Sequence, residues 1–552
     1  MRNVRIGATL MALGLMALGS ACGDDTTEPT GPATPTGVAV SQLSLTSARV
    51  TWSAVTGAQT YVVERASATN PGVFAVVSDT VTGTQHDDTG LTTGLAYSYR
   101  VSARAGTETS APSAVVSVTT GTATAVLSGS ITADRTLFKD TVYTLSGYVK
   151  VTNGAVLTVQ PGTKIVGDTT VAGSSLWIRR GARINAVGTA AEPIVFTSAR
   201  APGARKPGDW GGIIIIGNGI INRTTTPILT EGPGAVAEDY SGGTDNADNS
   251  GTLRYVRIEF AGFDVSNGAG QELNSLSMYA VGSGTTIEYV QSMAGLDDAF
   301  EWWGGAVHGK YLISYEAGDD HFDWSEGYAG RLQYLIAFQS QQLQPAPGTG
   351  TVSSDPRGFE ADGCDPGVAG CTVTENGGST PYSNPTISNF TLVGTGNLGG
   401  FPADGNGMVL RRGTAGYLFN GIVTRFKGTG CQFRDAWTDS LRLRDSLDLS
   451  NIIFAENGAN YDDAASSTRF CQEAKWASSN HRTAAAAADL LVSLNPASLD
   501  FSPKPGSLAD TMTVTLSLPA ARLGSYLDNT TFVGAADGTT KWWQGWSGYA
   551  IN

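Results

Sequence analysis

Histidine, cysteine and charge are all scarce in this chain, and each scarcity closes off a class of function. Only four histidines and five cysteines occur in 552 residues. No Cys-x-x-Cys pair is present and the histidines are scattered, so no zinc site of ordinary ligand spacing can be read. Charged residues make up 15% and lean acidic, with a net charge of −14. That balance disfavours binding to nucleic acid, or to anionic lipid through a basic patch. Long apolar runs are missing apart from Ile6 to Leu18, which is too short to span a bilayer. Helical periodicity is nearly absent as well. The exception is TAAAAADLLV at 483–492, expected to form a helix near the end of the fold.

What is present at the N-terminus reads as a targeting segment over residues 1–22. Arg2 and Arg5 precede the apolar stretch, and Leu18-Gly19-Ser20-Ala21 leads into Cys22. This resembles a bacterial lipobox, with Gly19 where the motif usually carries leucine. The resemblance implies an exported protein held to the outer membrane or cell surface by a lipid on Cys22. Losing Arg2 and Arg5 takes the net charge from −14 to −16. Residues 23–33, polar with Pro and Gly, read as a flexible tether. Four further cysteines in an exported chain permit disulfides. The favoured pairs are Cys364–Cys371 and Cys431–Cys471, with two other pairings open.

Residues 34–121 hold short alternating strands separated by turn signals, the pattern of a β-sandwich. Trp52 and the run Leu91-Thr-Thr-Gly-Leu-Ala-Tyr97-Ser-Tyr99-Arg-Val101 resemble a fibronectin type III domain. The resemblance implies a buried Trp52 and a Tyr97 hydroxyl bonded back to backbone near Leu91, in a module that acts as a spacer.

From about Ala125 the text changes again. Val156-Leu-Thr-Val-Gln-Pro-Gly-Thr-Lys-Ile, Leu176-Trp-Ile-Arg-Arg-Gly and Pro193-Ile-Val-Phe-Thr-Ser resemble the opening coils of right-handed parallel β-helix proteins, the architecture of pectate lyases and many bacterial surface proteins. Later phrases carry the pattern on, giving a β-helix over 125–490 and a capping segment over 491–552 that covers the last coil. The expected fold class is all-β: a fibronectin type III sandwich, then this solenoid with its C-terminal cap. Alternation places Val256, Ile258 and Phe260 inward and Arg257 and Glu259 outward. One coil cannot bury its inward face; stacked coils share a core. Trp542-Trp543-Gln-Gly-Trp546 belongs to the cap, the alternative being an exposed aromatic platform.

Within the solenoid one phrase is repeated. Asp297-Asp298-Ala-Phe300-Glu301-Trp302 returns 22 residues later as Asp319-Asp320-His-Phe322-Asp323-Trp324, and more faintly as Gly358-Phe359-Glu360-Ala361-Asp362. A period of about 20–25 residues built of strands and Gly/Asp turns marks a solenoid. Phe300 and Trp302 inward put Glu301, Asp323 and Glu360 outward, roughly 5 Å apart on successive coils. Like charges that close call for a cation, a shared proton or full solvation. Glu301, Asp323 and Glu360 are therefore candidate ligand-binding carboxylates, and weak candidates for a hydrolytic pair. Trp303 and Tyr328 are candidate stacking groups beside them. Asp297, Asp298, Asp319 and Asp320 form a second acidic row that could take calcium, as could Asp245 and Asp248. His308 and His321 could carry protons, but no spacing fixes either role, and no Arg or Lys stands out as a base. The leading expectation is non-catalytic binding of an extracellular polymer, a polysaccharide, along this face. A polysaccharide lyase or glycoside hydrolase is one alternative; a structural or adhesive surface protein is the other.

Overall fold

Alternation decides where each strand faces, and successive phrases of like length pair in register. The computed structural model describes residues 31–232, 237–266, 268, 270–372, 378–396, 405–462, 470–514 and 520–549. Residues 1–22 with Cys22, and most of the tether, lie outside the described residues. The chain divides into two units, Met1–Thr122 and Ala123–Asn552.

The first unit is a sandwich of antiparallel strands. One sheet pairs Ala39–Ser44, Ser47–Thr51 and Gln85–Thr89; the other centres on Thr60–Ser67 and Ala96–Ala105. Trp52 is buried beside Tyr61, and the Tyr97 hydroxyl accepts a hydrogen bond from Thr92 N at 2.9 Å.

The second unit is a parallel β-helix. One sheet of 11 short strands runs from Ser130–Ile131 to Ala459–Tyr461. A second sheet of 15 strands carries the long ones, including Gly251–Glu259, Thr286–Met293, His308–Tyr315 and Arg331–Phe338. Both are built from parallel register pairs, so each coil donates its backbone to the next. The interior is a single apolar column that includes Leu253, Val256, Ile258, Phe300, Trp302, Phe322 and Trp324. Phe300 and Phe322 stack at 5.3 Å along it. Both disulfides form as paired from the sequence, Cys364–Cys371 and Cys431–Cys471.

Three expectations need correction. Phe260 lies outside the coil: its φ of 59° turns the chain after Glu259, and the ring joins a second apolar cluster on the outer face. The stretch 483–492 is not a helix. It begins in the strand Arg482–Ala484, passes a single 3-10 turn at Ala487–Asp489 and enters the strand Leu491–Ser493. Pairing of Arg482–Ala484 with the preceding coil outweighs alanine's small helical preference. The C-terminal segment also does not sit end-on over the last coil. It lies along the outer face of the long-strand sheet, with Gly548 bonded to Gln291 and Asp528 to Gln333. Trp542, Trp543 and Trp546 are all buried in that contact.

Candidate functional site

The repeat becomes three adjacent strands of the short-strand sheet, Phe300–Trp303, Phe322–Ser325 and Phe359–Asp362. Their register sets Glu301 opposite Asp323 and Asp323 opposite Glu360. With Phe300, Phe322 and Phe359 in the core, these three carboxylates stand on the outer face. The row ends there, because the next two register partners are Val409 and Gln432. The turns before the first two strands add Asp297, Asp298, Asp319 and Asp320. Those turns are locked together: Asp298 Oδ1 accepts the Asp320 amide at 2.8 Å, and the Asp298 amide donates to Asn274 Oδ1 at 3.0 Å. Gly318 is required beside them, since a Cβ there would lie 1.8 Å from Leu296 O.

This face is roofed rather than open. Asp298, Asp320 and Glu360 are buried; Asp297, Glu301, Asp319 and Asp323 are only partly exposed. Asn274 Nδ2 donates to Glu301 Oε2 at 2.6 Å from one side. From the other comes Arg357, whose Nη1 lies 2.9 Å from Asp320 Oδ2 and which also pairs with Glu360 and Asp355. Arg411 pairs with Glu360 and Asp362, and Arg412 with Asp362 and Asp365. Sequence reasoning missed all three arginines.

The face is thus split. Asp320, Glu360 and Asp362 have guanidinium partners. Asp297, Asp298, Glu301, Asp319 and Asp323 form no ion pair among the described residues, nor do the nearby Glu231 and Glu272. Burial, then repulsion from neighbouring carboxylates, holds Asp297, Asp298 and Glu301 well above the usual carboxylate range. Asp319 and Asp323 are raised for the same reasons, with partial relief from Arg357 at Asp319 and from Arg411 and then Arg357 at Asp323. Glu231 is pushed up to about 8, chiefly by burial and then by Glu272. Oδ1 of Asp319 and Oδ1 of Asp323 are closed off from solvent and accept no hydrogen bond among the described residues. A buried oxygen left without a donor is costly, so each of these points at something that would satisfy it.

The carboxylates gather into three groups whose ligand oxygens all lie within 4.8 Å of one another: Asp297–Asp298–Asp319, Asp298–Glu301–Asp323 and Asp320–Asp323–Glu360. An all-oxygen set of this kind suits a hard divalent cation.

The other candidates fall elsewhere. Tyr328 is fully buried in the coil interior, where its hydroxyl donates to Val307 O and its ring stacks on Trp302. It cannot meet a ligand, because the turn after Ser325 folds it back into the core. Trp303 does face outward but is covered, stacked on Tyr279 at 3.9 Å in a cluster with Trp177 and Tyr240. The inserted segment carrying Tyr240 closes over it. Asp245 caps a turn by accepting the Ala247 amide, Asp248 bonds to Ser250, and neither joins an acidic group among the described residues. His321 is buried with Nδ1 2.6 Å from Ser314 Oγ, and burial lowers its pKa to about 3. His308 sits on the other sheet beside Arg331, lowered to about 4 by burial. Burial thus keeps both rings uncharged near neutral pH.

Comparison with known proteins adds the following. A family model described as a pectate-lyase like beta helix domain matches residues 129–492, and the fibronectin type III domain model matches residues 33–119. No curated protein matches the chain. Among solved structures, an Fn3-like protein from Clostridium thermocellum is 34% identical over 16% of this chain and 92% of its own, with a TM-score of 0.15. The chicken CNTN1 FN1-FN3 domains are 23% identical over 16% of this chain, which spans only 31% of theirs, with a TM-score of 0.15. Both likenesses cover a small share of this chain and bear no argument about the face described above.

Proposed function

The chain belongs to the pectate-lyase-like β-helix family, and from that premise we propose that it is a surface-anchored, non-catalytic module that binds calcium on its acidic face and, through it, an acidic polysaccharide. The observation that carries this reading is the pair of solvent-closed, donorless oxygens, Asp319 Oδ1 and Asp323 Oδ1, on carboxylates that form no ion pair among the described residues. Calcium takes six to eight oxygens at about 2.3–2.6 Å, and three carboxylates leave several positions unfilled. Because Asp297, Glu301, Asp319 and Asp323 are partly exposed, those positions can be completed by water or by the carboxylates of a polymer. Calcium would supply charge compensation and a bridge; the chain's own residues fix where it sits.

A lyase needs a base free to take a proton from the polymer. Arg411 is the one cation here whose pKa is lowered, to about 10 by burial and the neighbouring Arg412 and Arg357. Its ion pairs to Glu360 and Asp362 hold it in place, which favours the non-catalytic reading. Export and a lipid on Cys22 belong to the same proposal and would set the module at the outer membrane or cell surface.

The test mixes the full-length protein with polygalacturonate, alginate and a neutral glucan, with calcium or without it, and follows polymer size by size-exclusion chromatography. Expected is co-elution of intact acidic polymer in calcium only, lost in the Glu301→Gln/Asp323→Asn variant. Shortened polymer would make the protein an enzyme, and calcium-independent binding would remove the acidic face from the account.

A further inference from the structure

The three acidic groups are not separate sites. Asp298 belongs to the first and second, and Asp323 to the second and third. They form one row along the coil axis, in which each cation position shares a carboxylate with the next. Within each group the ligand oxygens lie within 4.8 Å of one another, close enough for one hard cation to touch all three, and calcium is the hard cation that tolerates irregular carboxylate sets.

The third position differs from the other two. Arg357 already lies within it, with Nη1 2.9 Å from Asp320 Oδ2 and paired to Glu360. The repeat explains why. Phe300, Phe322 and Phe359 are register partners, so the residues two places before them correspond. Those residues are Asp298, Asp320 and Arg357. The third copy has replaced its second turn aspartate by an arginine, which puts a positive charge where its neighbours have a negative one. Among the described residues the first and second positions have no such cation; Asp319 Oδ1 lies in the first and Asp323 Oδ1 is shared by the second and third, so the arginine alone sets the third apart.

We infer that the face holds two calcium ions bridged by Asp298, and that Arg357 is a built-in substitute for a third. This rests on the calcium reading above and adds number and order to it. Two divalent ions nearly balance the five carboxylates Asp297, Asp298, Glu301, Asp319 and Asp323. The bridged pair would stand roughly one coil step apart, about 4.8 Å. Asp298 is fixed for bridging at both ends, since its amide is held by Asn274 and its Oδ1 by the Asp320 amide.

Native mass spectrometry and equilibrium dialysis of the full-length protein against calcium count the ions. Terbium and europium loaded together report proximity by energy transfer. The inference expects two ions in the parent protein, efficient transfer between them, and loss of both on Asp298→Asn. Arg357→Asp, which restores the repeat, should bind three; Arg357→Gln, which opens the position without adding a ligand, should bind a third more weakly. Circular dichroism confirms that each variant is folded, and the two Arg357 substitutions back each other should one fail to fold. One bound ion in the parent protein would overturn the bridged pair while leaving calcium binding intact. No bound ion would overturn the proposed function with it. Two ions in both folded Arg357 variants would refute the substitute role.

Discussion

Stripping the protein of metal should make its stability fall as pH rises, and calcium should reverse that trend. The sign follows from the direction of the shifts. Carboxylates raised in the folded state hold their protons more tightly there than in the unfolded chain. Their contribution to stability is complete below the unfolded value and is lost as pH climbs through the folded one. Glu231 sets the window, from its ordinary 4.5 up to about 8. Alone it removes at most about 5 kcal/mol across that range, and about half as much once solvent screening at a partly exposed carboxyl is allowed for. Calcium favours the ionised face and adds about 2.7 kcal/mol per ion at one hundred times its Kd. The assay is thermal unfolding of the full-length protein from pH 5 to 8.5, dialysed free of metal or supplied with calcium. The midpoints should nearly coincide at pH 5 and separate steadily above pH 6. A gap that stays constant with pH, or metal-free stability that rises towards pH 8, would refute the reasoning, because it would mean the carboxylates are already compensated.

Two further outcomes are expected. Reduction of Cys431–Cys471, or its replacement by Ser at both positions, should cost about 4 kcal/mol in the chain-entropy account of its 40-residue separation, against about 2 kcal/mol for Cys364–Cys371 with a separation of 7; urea unfolding of the two double variants compares them directly. Cys22→Ala in the producing cell should shift the protein from the membrane fraction to the soluble fraction, and unchanged membrane association would remove the lipid anchor.

The solenoid and its acidic row were legible because a coil imposes its period on the sequence. The Asp-Asp-x-Phe-acid-Trp phrase could be aligned by eye, and the register pairs Glu301–Asp323–Glu360 follow from it. What escaped reading comes from contacts that no local period encodes. Arg357 lies 37 residues from Asp320, behind an insertion, and Asn274 comes from a turn 27 residues before Glu301. Without those two roofs the face reads as solvated. Tyr328 was misplaced because it follows a turn, where alternation no longer assigns a side. Phe260 failed for the same reason.

The long-strand sheet carries a second ladder, and it accounts for the path of the C-terminal segment. Tyr255, Tyr289, Tyr311 and Tyr334 all have φ between 51° and 61° in mid-strand, and Asn389, Asn420 and Asn451 continue the position at 54° to 59°. These are the corners at which each long strand bends around the core. Asparagine enters this conformation readily and here forms an amide ladder, Asn451 Nδ2 to Asn420 Oδ1 at 3.0 Å. Tyrosine does not, at roughly 1–2 kcal/mol per residue. The four rings offset part of that by stacking at 4.4, 4.3 and 4.8 Å, worth about 0.5–1.5 kcal/mol per pair. The remainder falls to the covering segment: Trp546 packs edge-on against Tyr255 and Tyr289, and Trp542 against Tyr311. Gln291 and Gln333 each grip its backbone at two points, donating to one carbonyl and accepting from the amide of the same residue. A side-chain amide used this way copies a neighbouring strand. The tryptophan-rich terminus is therefore drawn to the strained tyrosine corners of a sheet face rather than to the open end of the helix.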